Sequence, residues 1–184
     1  MSARPAGTHH PLVLRQTGAV VVPLAVWAFC LLAVGDAVVE GSPAYAVRTV
    51  LVSASVALAV WVVLYSPRLE VTRDGLRVVN PLRVHEVPYA ALESVQVRGL
   101  TSLTFRGADG RTRTVSSWNA PGVPRRMVAE TPPTTAAIER FRGAWERSGA
   151  PEREQGQTAT TTWRRVEGAL LAAQFLVDFV IWLL

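Results

Sequence analysis

The chain has 184 residues, of which 49% are hydrophobic and 18% are charged. This length accommodates one membrane hairpin and one small domain but excludes two large hydrophobic cores. The formal charge is +5, and because Lys is absent and all cationic side chains are Arg, we give this charge little weight as a nucleic-acid signal. Cys30 is the single cysteine, which excludes a disulfide within the monomer and a cysteine-based zinc site.

Two long apolar runs follow a polar amino-terminal tail. Residues 1–16 are predicted to form a disordered cytoplasmic tail. Residues 18–35 and 49–65 contain no charged side chain, and each run is roughly 25–30 Å long as a helix, which matches the hydrocarbon core of a bilayer. We therefore predict a transmembrane hairpin over residues 17–66, with helices at about 18–35 and 47–65.

The first run has an alternative interpretation as a cleaved signal peptide. It has a basic start and an apolar core, and Ala33-Val34-Gly35 is a candidate for a small-residue cleavage site. The run is longer than a usual signal core, and a second span follows at once. Both features favour a retained span.

The distribution of arginine predicts the orientation of the hairpin. The turn contains Asp36 and Glu40 and has no basic residue before Arg48, whereas arginines are plentiful on both outer sides. By the positive-inside rule, the amino terminus and everything after Tyr65 are cytoplasmic. The protein is thus predicted to be a multi-pass protein of the inner (plasma) membrane.

Small residues on the second span indicate a close helix contact. Ser53 and Ala57 lie four residues apart, as do Ser55 and Ala59, and this spacing lets a neighbouring helix approach. Either the first helix packs there, or a second copy does.

From residue 67 the pattern changes to short alternation, which is typical of β-strands. Asp74-Gly75 and Asp109-Gly110 are strong hairpin signals, and Asn80-Pro81 marks a further turn. About six short strands are predicted in about fifty residues, which favours a small antiparallel sheet or partial barrel.

A capping helix is predicted after the strands. Thr134 or Thr135 begins it, and Ile138, Phe141 and Trp145 form one apolar stripe. The stripe is expected to cover one open face of the sheet. The domain is thus predicted over residues 67–148 and a solvated linker over residues 149–162.

The last segment, residues 163–184, is predicted to be an apolar helix. As a helix it is barely long enough to span a bilayer, and Gln174 and Asp178 lie on one side of it. The alternatives are a third span, a membrane-surface helix or a helix packed within the bundle. Gln174 and Asp178 are candidates for intramembrane packing.

Three elements of the β-rich region form a familiar pattern: Asp74-Gly75-Leu76-Arg77-Val78-Val79-Asn80, the element formed by Pro88, Tyr89 and Leu92, and Asp109-Gly110-Arg111. In these residues the region resembles the bacterial PH-like domain of small actinobacterial membrane proteins. The resemblance implies a PH-like β-module tethered by two amino-terminal spans. The expected fold class is a membrane helical hairpin plus a small α+β PH-like domain with a capping helix.

The resemblance raises the question of lipid binding. Arg73, Arg77 and Arg83 surround the first hairpin and are candidates for contact with a lipid phosphate or a partner. The same charges also satisfy topology and attract anionic lipid without specificity.

Catalytic, metal and cofactor motifs are not found. His85, Asp109, Ser116 and Ser117 lack a nucleophile elbow, and no paired histidines or cysteines have metal-ligand spacing. We therefore predict no enzyme activity, no cofactor, no metal and no nucleic-acid partner.

The sequence favours a membrane-anchored interaction or scaffolding module that faces the cytoplasm. Its predicted partners are the bilayer, which includes an anionic lipid surface, and a protein of unknown identity; the oligomeric state is open. The alternatives are an accessory subunit of a transporter or envelope complex, and a sensor of anionic lipid headgroups.

Overall fold

The computed structural model describes residues 11–98, 100–119, 133–149 and 156–183. Within these residues the α-helices are α1 (Gly18–Glu40), α2 (Pro43–Val60), α3 (Pro133–Arg147) and α4 (Arg165–Leu183). The strands are β1 (Leu12–Leu14), β2 (Arg68–Val71), β3 (Gly75–Val79), β4 (Arg83–Pro88), β5 (Leu92–Arg98), β6 (Leu100–Arg106), β7 (Thr112–Ser117) and β8 (Thr160–Trp163). A π-helical turn, Trp61–Tyr65, extends α2, and a 3-10 turn, Tyr89–Ala91, precedes β5.

Helices α1 and α2 form an antiparallel hairpin with a tight turn. Helix α1 runs to Glu40, beyond the predicted end of the apolar run, because charged residues end apolarity without breaking a helix. Helix α2 begins at Pro43, and the Ser42 side chain accepts a hydrogen bond from the Tyr45 N–H at 3.3 Å. This N-cap and the proline at the first helical position fix the start of α2.

Both helices of the hairpin are long and apolar enough to cross a membrane. Each has 23 residues when the turn after α2 is included, which is about 35 Å of helix. In their most apolar stretches, only 11% and 6% of the residues are buried within the protein. Because this apolar surface is so large and so exposed, it is suited to contact with lipid rather than water.

The β-rich region consists of two antiparallel sheets. The large sheet has the order β1-β2-β3-β4-β8, and the small sheet has the order β5-β6-β7. Strands β2 to β7 are the six short strands that the alternation predicts. The α+β class predicted from the sequence is therefore confirmed.

Two edge strands differ from the sequence prediction. Strand β1 pairs with β2, so Leu12–Leu14 is ordered although residues 1–16 were predicted to be a disordered tail; residues 1–10 lie outside the described part. Strand β8 pairs with β4, so residues 160–162 are not solvated linker, while residues 150–155 lie outside the described part. Both segments are short, and backbone pairing with a distant strand edge orders them rather than any local pattern.

The core lies between the two sheets and is covered by α3. Ile138 and Trp145 are buried, and Phe141 packs against the core from the same helix. Helix α3 contacts β2 and β5, so it closes one side of the two-sheet structure. The predicted role of the apolar stripe as a lid is confirmed. The buried cluster comprises Leu69, Val71, Leu76, Val78, Val87, Tyr89, Leu92, Leu103, Phe105, Ile138, Trp145 and Ala159.

All three apolar helices join the large sheet at the same end. The register places the end of β1 opposite the start of β2, because Leu14 pairs with Leu69. It also places the start of β4 opposite the end of β8, because Arg83 pairs with Trp163. Asn119 is held at this end by a hydrogen bond from its side chain to the Leu64 carbonyl. We call this the helix end of the domain.

Gly75 illustrates how close packing fixes one turn. A Cβ at Gly75 would overlap the Val87 carbonyl oxygen and lie 2.8 Å from the Cα of Pro88. The Gly75 backbone has no positive φ, so the glycine is required by this close approach of β4.

Replacing Gly75 by alanine is expected to destabilise the domain by about 1–3 kcal/mol, because the Cβ forces β3 away from β4. Urea unfolding of the full chain in a mild detergent measures the change. The control is Gly143→Ala in α3, where a Cβ meets nothing within 4 Å. That variant is expected to be neutral or up to about 1 kcal/mol more stable. Equal stability of the two variants would contradict the packing argument.

Candidate interaction groove

A groove of about 810 Å³ opens between the edge of β7 and strands β4 and β8. No residue of α3 is among its described lining residues. We call it the β7–β8 groove. Its lining comprises Asn80, Pro81, Leu82, Arg83, His85, Phe105, Arg113, Thr114, Val115, Ser116, Trp118, Thr161 and Trp163.

Asn80 ties the two walls of the groove together at the helix end. Its side-chain Nδ2 donates to the Ser116 carbonyl at 3.0 Å, and its Oδ1 accepts from the Trp118 N–H at 3.1 Å. The carboxamide thus occupies the place that the peptide group of a neighbouring strand would take. The outer edge of β7 can therefore form strand-like hydrogen bonds, and at the helix end the Asn80 side chain forms them.

The lining of the groove is positively charged. No acidic residue is among the described residues that line it. The guanidinium of Arg83 lies 4.1 Å from the centre of the Trp163 ring, in a cation–π contact. Arg113 is paired with Asp109 at 2.8 Å, so Arg83 provides the less compensated of the two charges.

His85 lies in the floor of the groove. Its Nδ1 is 2.9 Å from the Thr161 Oγ1, and its ring lies 6.4 Å from that of Phe105, centre to centre. Burial, and then the positive charge of Arg83, lower the pKa of His85 from its ordinary value of 6.5. An anion held near Arg83 would oppose this effect.

Acidification is expected to destabilise the folded domain through His85. Because the pKa is lower in the folded state, the unfolded state binds more protons below pH 6.5, and the stability present above that pH is lost as the pH falls. Unfolding of the full chain at pH 7.5 and pH 5.5 tests this. His85→Asn, which keeps a partner for Thr161, should lose less stability between the two pH values. An equal loss would assign the pH dependence to other groups.

The domain that carries the groove matches a known family. Residues 66–131 match the model of the bacterial PH domain. The chain carries a bacterial PH-like domain. Comparison with curated proteins and with solved structures gives no match. PH domains are generally non-catalytic, and the described part of the chain contains no group of three or more His, Cys, Asp or Glu side chains suited to a metal ion.

The PH-like domain does not gather the three predicted arginines into one cluster. Arg73 lies in the β2–β3 turn, at the end of the sheet opposite the helices. Arg77 lies between Glu70, at 3.6 Å, and Glu86, at 3.4 Å. Arg83 lies in the groove at the helix end. Because β3 separates Arg73 from Arg83 by roughly 13 Å of strand, the three arginines do not form one cluster. Contact of each arginine with a lipid or a partner stays a prediction.

The predicted packing residues of the apolar helices fall into two separate sets. Ser53 and Ala57 line an apolar cleft between α1 and α2, and the Trp27 indole donates to the Ala57 carbonyl at 3.2 Å. The first helix faces these small residues across the cleft. Close packing of either the first helix or a second copy on them stays a prediction. Gln174 and Asp178 do not contact that face.

Gln174 and Asp178 meet Ser55 on the other side of α2. The Gln174 Nε2 donates to the Ser55 Oγ at 2.9 Å and lies 3.3 Å from the Asp178 Oδ1. The Ser55 hydroxyl lies within hydrogen-bond distance of the Asp178 Oδ2 and of the Leu51 carbonyl, and its single proton serves one of them at a time. We call Ser55, Gln174 and Asp178 the polar cluster. It connects α2 with α4.

The groove-forming residues of the PH-like domain were missed at the level of sequence. The sequence predicts a turn at Asn80 and predicts no role for Trp118 or Trp163. These residues lie far apart in the chain and meet only through strand pairing. The one signal in the sequence is Trp163 directly before Arg164 and Arg165, a combination that is common at membrane surfaces and partner surfaces alike.

Proposed function

We infer that this protein is a membrane-anchored interaction module without catalytic activity, whose PH-like domain faces the cytoplasm. The observation that carries this proposal is the departure of three apolar helices from one end of a folded domain. Membrane anchoring explains why helices with so little buried surface flank a domain with an ordinary core.

Strand pairing supports the orientation independently of charge. Strand β1 precedes the hairpin and β2 follows it, yet the two strands are neighbours in one sheet. Both must therefore lie on the same side of the bilayer, which requires α1 and α2 to cross it together. The excess of arginine outside the turn assigns that side to the cytoplasm of a plasma membrane.

The helix end of the domain is suited to contact with the bilayer surface. Leu82, Trp118 and Trp163 are exposed there, and Arg165 begins the last helix. Indole rings favour the membrane interface, and arginines favour an anionic leaflet. We propose that this contact is non-specific and that it holds the PH-like domain against the membrane.

Helix α4 is proposed to be a third span. It packs on α2 through the polar cluster, and on its remaining surface Phe175, Leu176 and Phe179 are exposed. This arrangement favours the bilayer, or a neighbouring span of an accessory complex, as the environment of α4. The accessory-subunit function is therefore the second candidate.

Sealed spheroplasts and inverted membrane vesicles test the proposed function. The protein should resist extraction by alkaline carbonate, and protease should digest the PH-like domain in inverted vesicles but not in right-side-out spheroplasts. Digestion in spheroplasts would overturn the orientation, and release by carbonate would overturn the anchoring.

Deletion of residues 166–184 separates the two candidate functions, because it leaves β8 in place. Photo-crosslinking from the PH-like domain should be unaffected if the domain is the interaction module. Loss of all crosslinked partners would favour the accessory-subunit function.

A further inference from the structure

The outer edge of β7 is open beyond the point where Asn80 engages it. The bonds of Ser116 and Trp118 to Asn80 establish which backbone groups of β7 point away from β6. Backbone groups in a strand alternate in direction, so those of Thr114 and Thr112 also point outward. Thr114 lines the groove directly. The groove therefore presents main-chain donors and acceptors along one wall.

The opposite wall supplies charge and a polar rim. It carries Arg83 and its stacked partner Trp163, and Thr161 lies beside it on β8. Strand β8 is itself an exposed edge with the sequence Thr-Thr-Thr-Trp. An occupant with negative side chains is complementary to this lining, and one with positive side chains is not.

We propose that the β7–β8 groove is a docking site for an extended, acidic segment of a partner protein, which adds to β7 as a further strand. This rests on the proposed role of the PH-like domain as an interaction module and specifies its surface and its partner. Main-chain bonds to Thr114 and Thr112 give affinity, and Arg83 gives selectivity for acidic side chains.

The register of β7 defines the pattern of the bound segment. Arg113 and Val115 lie on the inner face of β7, two residues apart, and Val115 packs against the core. A bound strand therefore places an apolar residue beside Val115 and an acidic residue two positions away. Because only two outward residues of β7 are open, binding is weak in solution. Tethering of both proteins to one membrane raises the effective concentration.

Peptide binding to the full chain in nanodiscs of phosphatidylcholine tests the proposal. The probe is the fluorescent, terminally blocked peptide Thr-Glu-Thr-Val-Thr-Glu-Thr, in which the valine and both glutamates share one strand face, and the comparison peptide has lysine in place of both glutamates. Fluorescence anisotropy should rise saturably with the acidic peptide only. Absence of saturable binding, or equal binding of the two peptides, overturns the proposal.

Substitution of Thr114 distinguishes strand addition from charge attraction. Thr114→Pro removes an outward N–H without removing a bond to β6, and should weaken binding by at least about tenfold. Thr114→Val removes the same hydroxyl but keeps the N–H, and should bind like the natural chain. Equal binding by the two variants overturns the strand-addition mode.

Substitution of Arg83 tests the charge selectivity. Arg83→Glu should weaken binding of the acidic peptide by about tenfold and allow the lysine peptide to bind. The matched control is Arg111→Glu in the exposed β6–β7 turn, which should change binding by less than about twofold. Equal effects of the two variants would assign the selectivity to net charge and overturn the site.

A lipid occupant gives a different result. Nanodiscs that contain phosphatidylglycerol should leave the affinity for the peptide within about twofold if the groove holds a peptide. Displacement of the peptide by phosphatidylglycerol in the Arg111→Glu control as well as in the natural chain would overturn the proposal in favour of a lipid headgroup.

A photo-crosslinker at Glu86, on the outer face of the large sheet, distinguishes failure of the groove site from failure of the proposed function. Partners captured there by a chain that binds no peptide would refute the groove site and leave the interaction module intact.

Discussion

Replacing Trp145 by alanine is expected to lower the free energy of unfolding by about 3–5 kcal/mol, the largest effect of any single change considered for the PH-like domain. Trp145 is only 8% exposed, and its ring lies 5.7 Å from that of Tyr89, centre to centre. The Tyr89 hydroxyl in turn donates to the Thr72 carbonyl at 3.1 Å. Loss of the indole therefore leaves a cavity beneath α3 and loosens the contact between the lid and the β2–β3 turn.

Urea unfolding of the full chain in a mild detergent, followed by circular dichroism, measures this loss. Trp118→Ala is the matched control, because Trp118 is 53% exposed and the same side chain is removed. The control should change stability by less than about 0.5 kcal/mol. If the two variants were equally stable, α3 would not be a lid over the core.

Replacing Ser55 by alanine is expected to weaken the packing of α4 on α2 by about 1–2 kcal/mol. The hydroxyl accepts from Gln174 and lies against the Asp178 carboxylate, so its removal leaves two polar groups without their common partner. In a hydrocarbon environment, no water replaces the lost hydrogen bonds. The effect is therefore larger in lipid than for an exposed serine in water.

A double-mutant cycle between Ser55→Ala and Gln174→Ala isolates this interaction. The two changes should be non-additive by about 0.6–2 kcal/mol when unfolding is followed in lipid–detergent micelles. Ser53→Ala is the control, because Ser53 lines the cleft with α1 on the other face of the same helix. Additive effects of Ser55→Ala and Gln174→Ala would mean that the polar cluster does not couple the helices.

Residue patterns within single segments of the chain predict the six strands, the lid helix and the helical hairpin. Six strands were predicted because alternation and turn residues recur within residues 67–121, and the lid was predicted because Ile138, Phe141 and Trp145 share one helix face. The helical hairpin was predicted from apolarity alone, although α1 continues to Glu40, because a charged residue ends a hydrophobic run but not a helix.

Non-local pairing accounts for what the sequence did not reveal. Leu12–Leu14 and Thr160–Trp163 are too short to be distinguished from a tail and a linker, and they are ordered by strands about 50 to 80 residues away. The groove arises from the same pairings. Asn80 meets Ser116, and Arg83 meets Trp163, only when the sheets have formed. Arg73, Arg77 and Arg83 are close along the chain but not in space, because β3 runs the length of the sheet between Arg73 and Arg83.

The position of the hairpin between β1 and β2 constrains how the protein is made. Strand β1 leaves the ribosome first, and its partner follows only after about fifty further residues have been translated. In the proposed topology, membrane insertion of α1 and α2 returns the chain to the cytosol before the sheet closes. Completion of the large sheet would then follow insertion of both helices, so that folding of the domain depends on correct insertion of the hairpin.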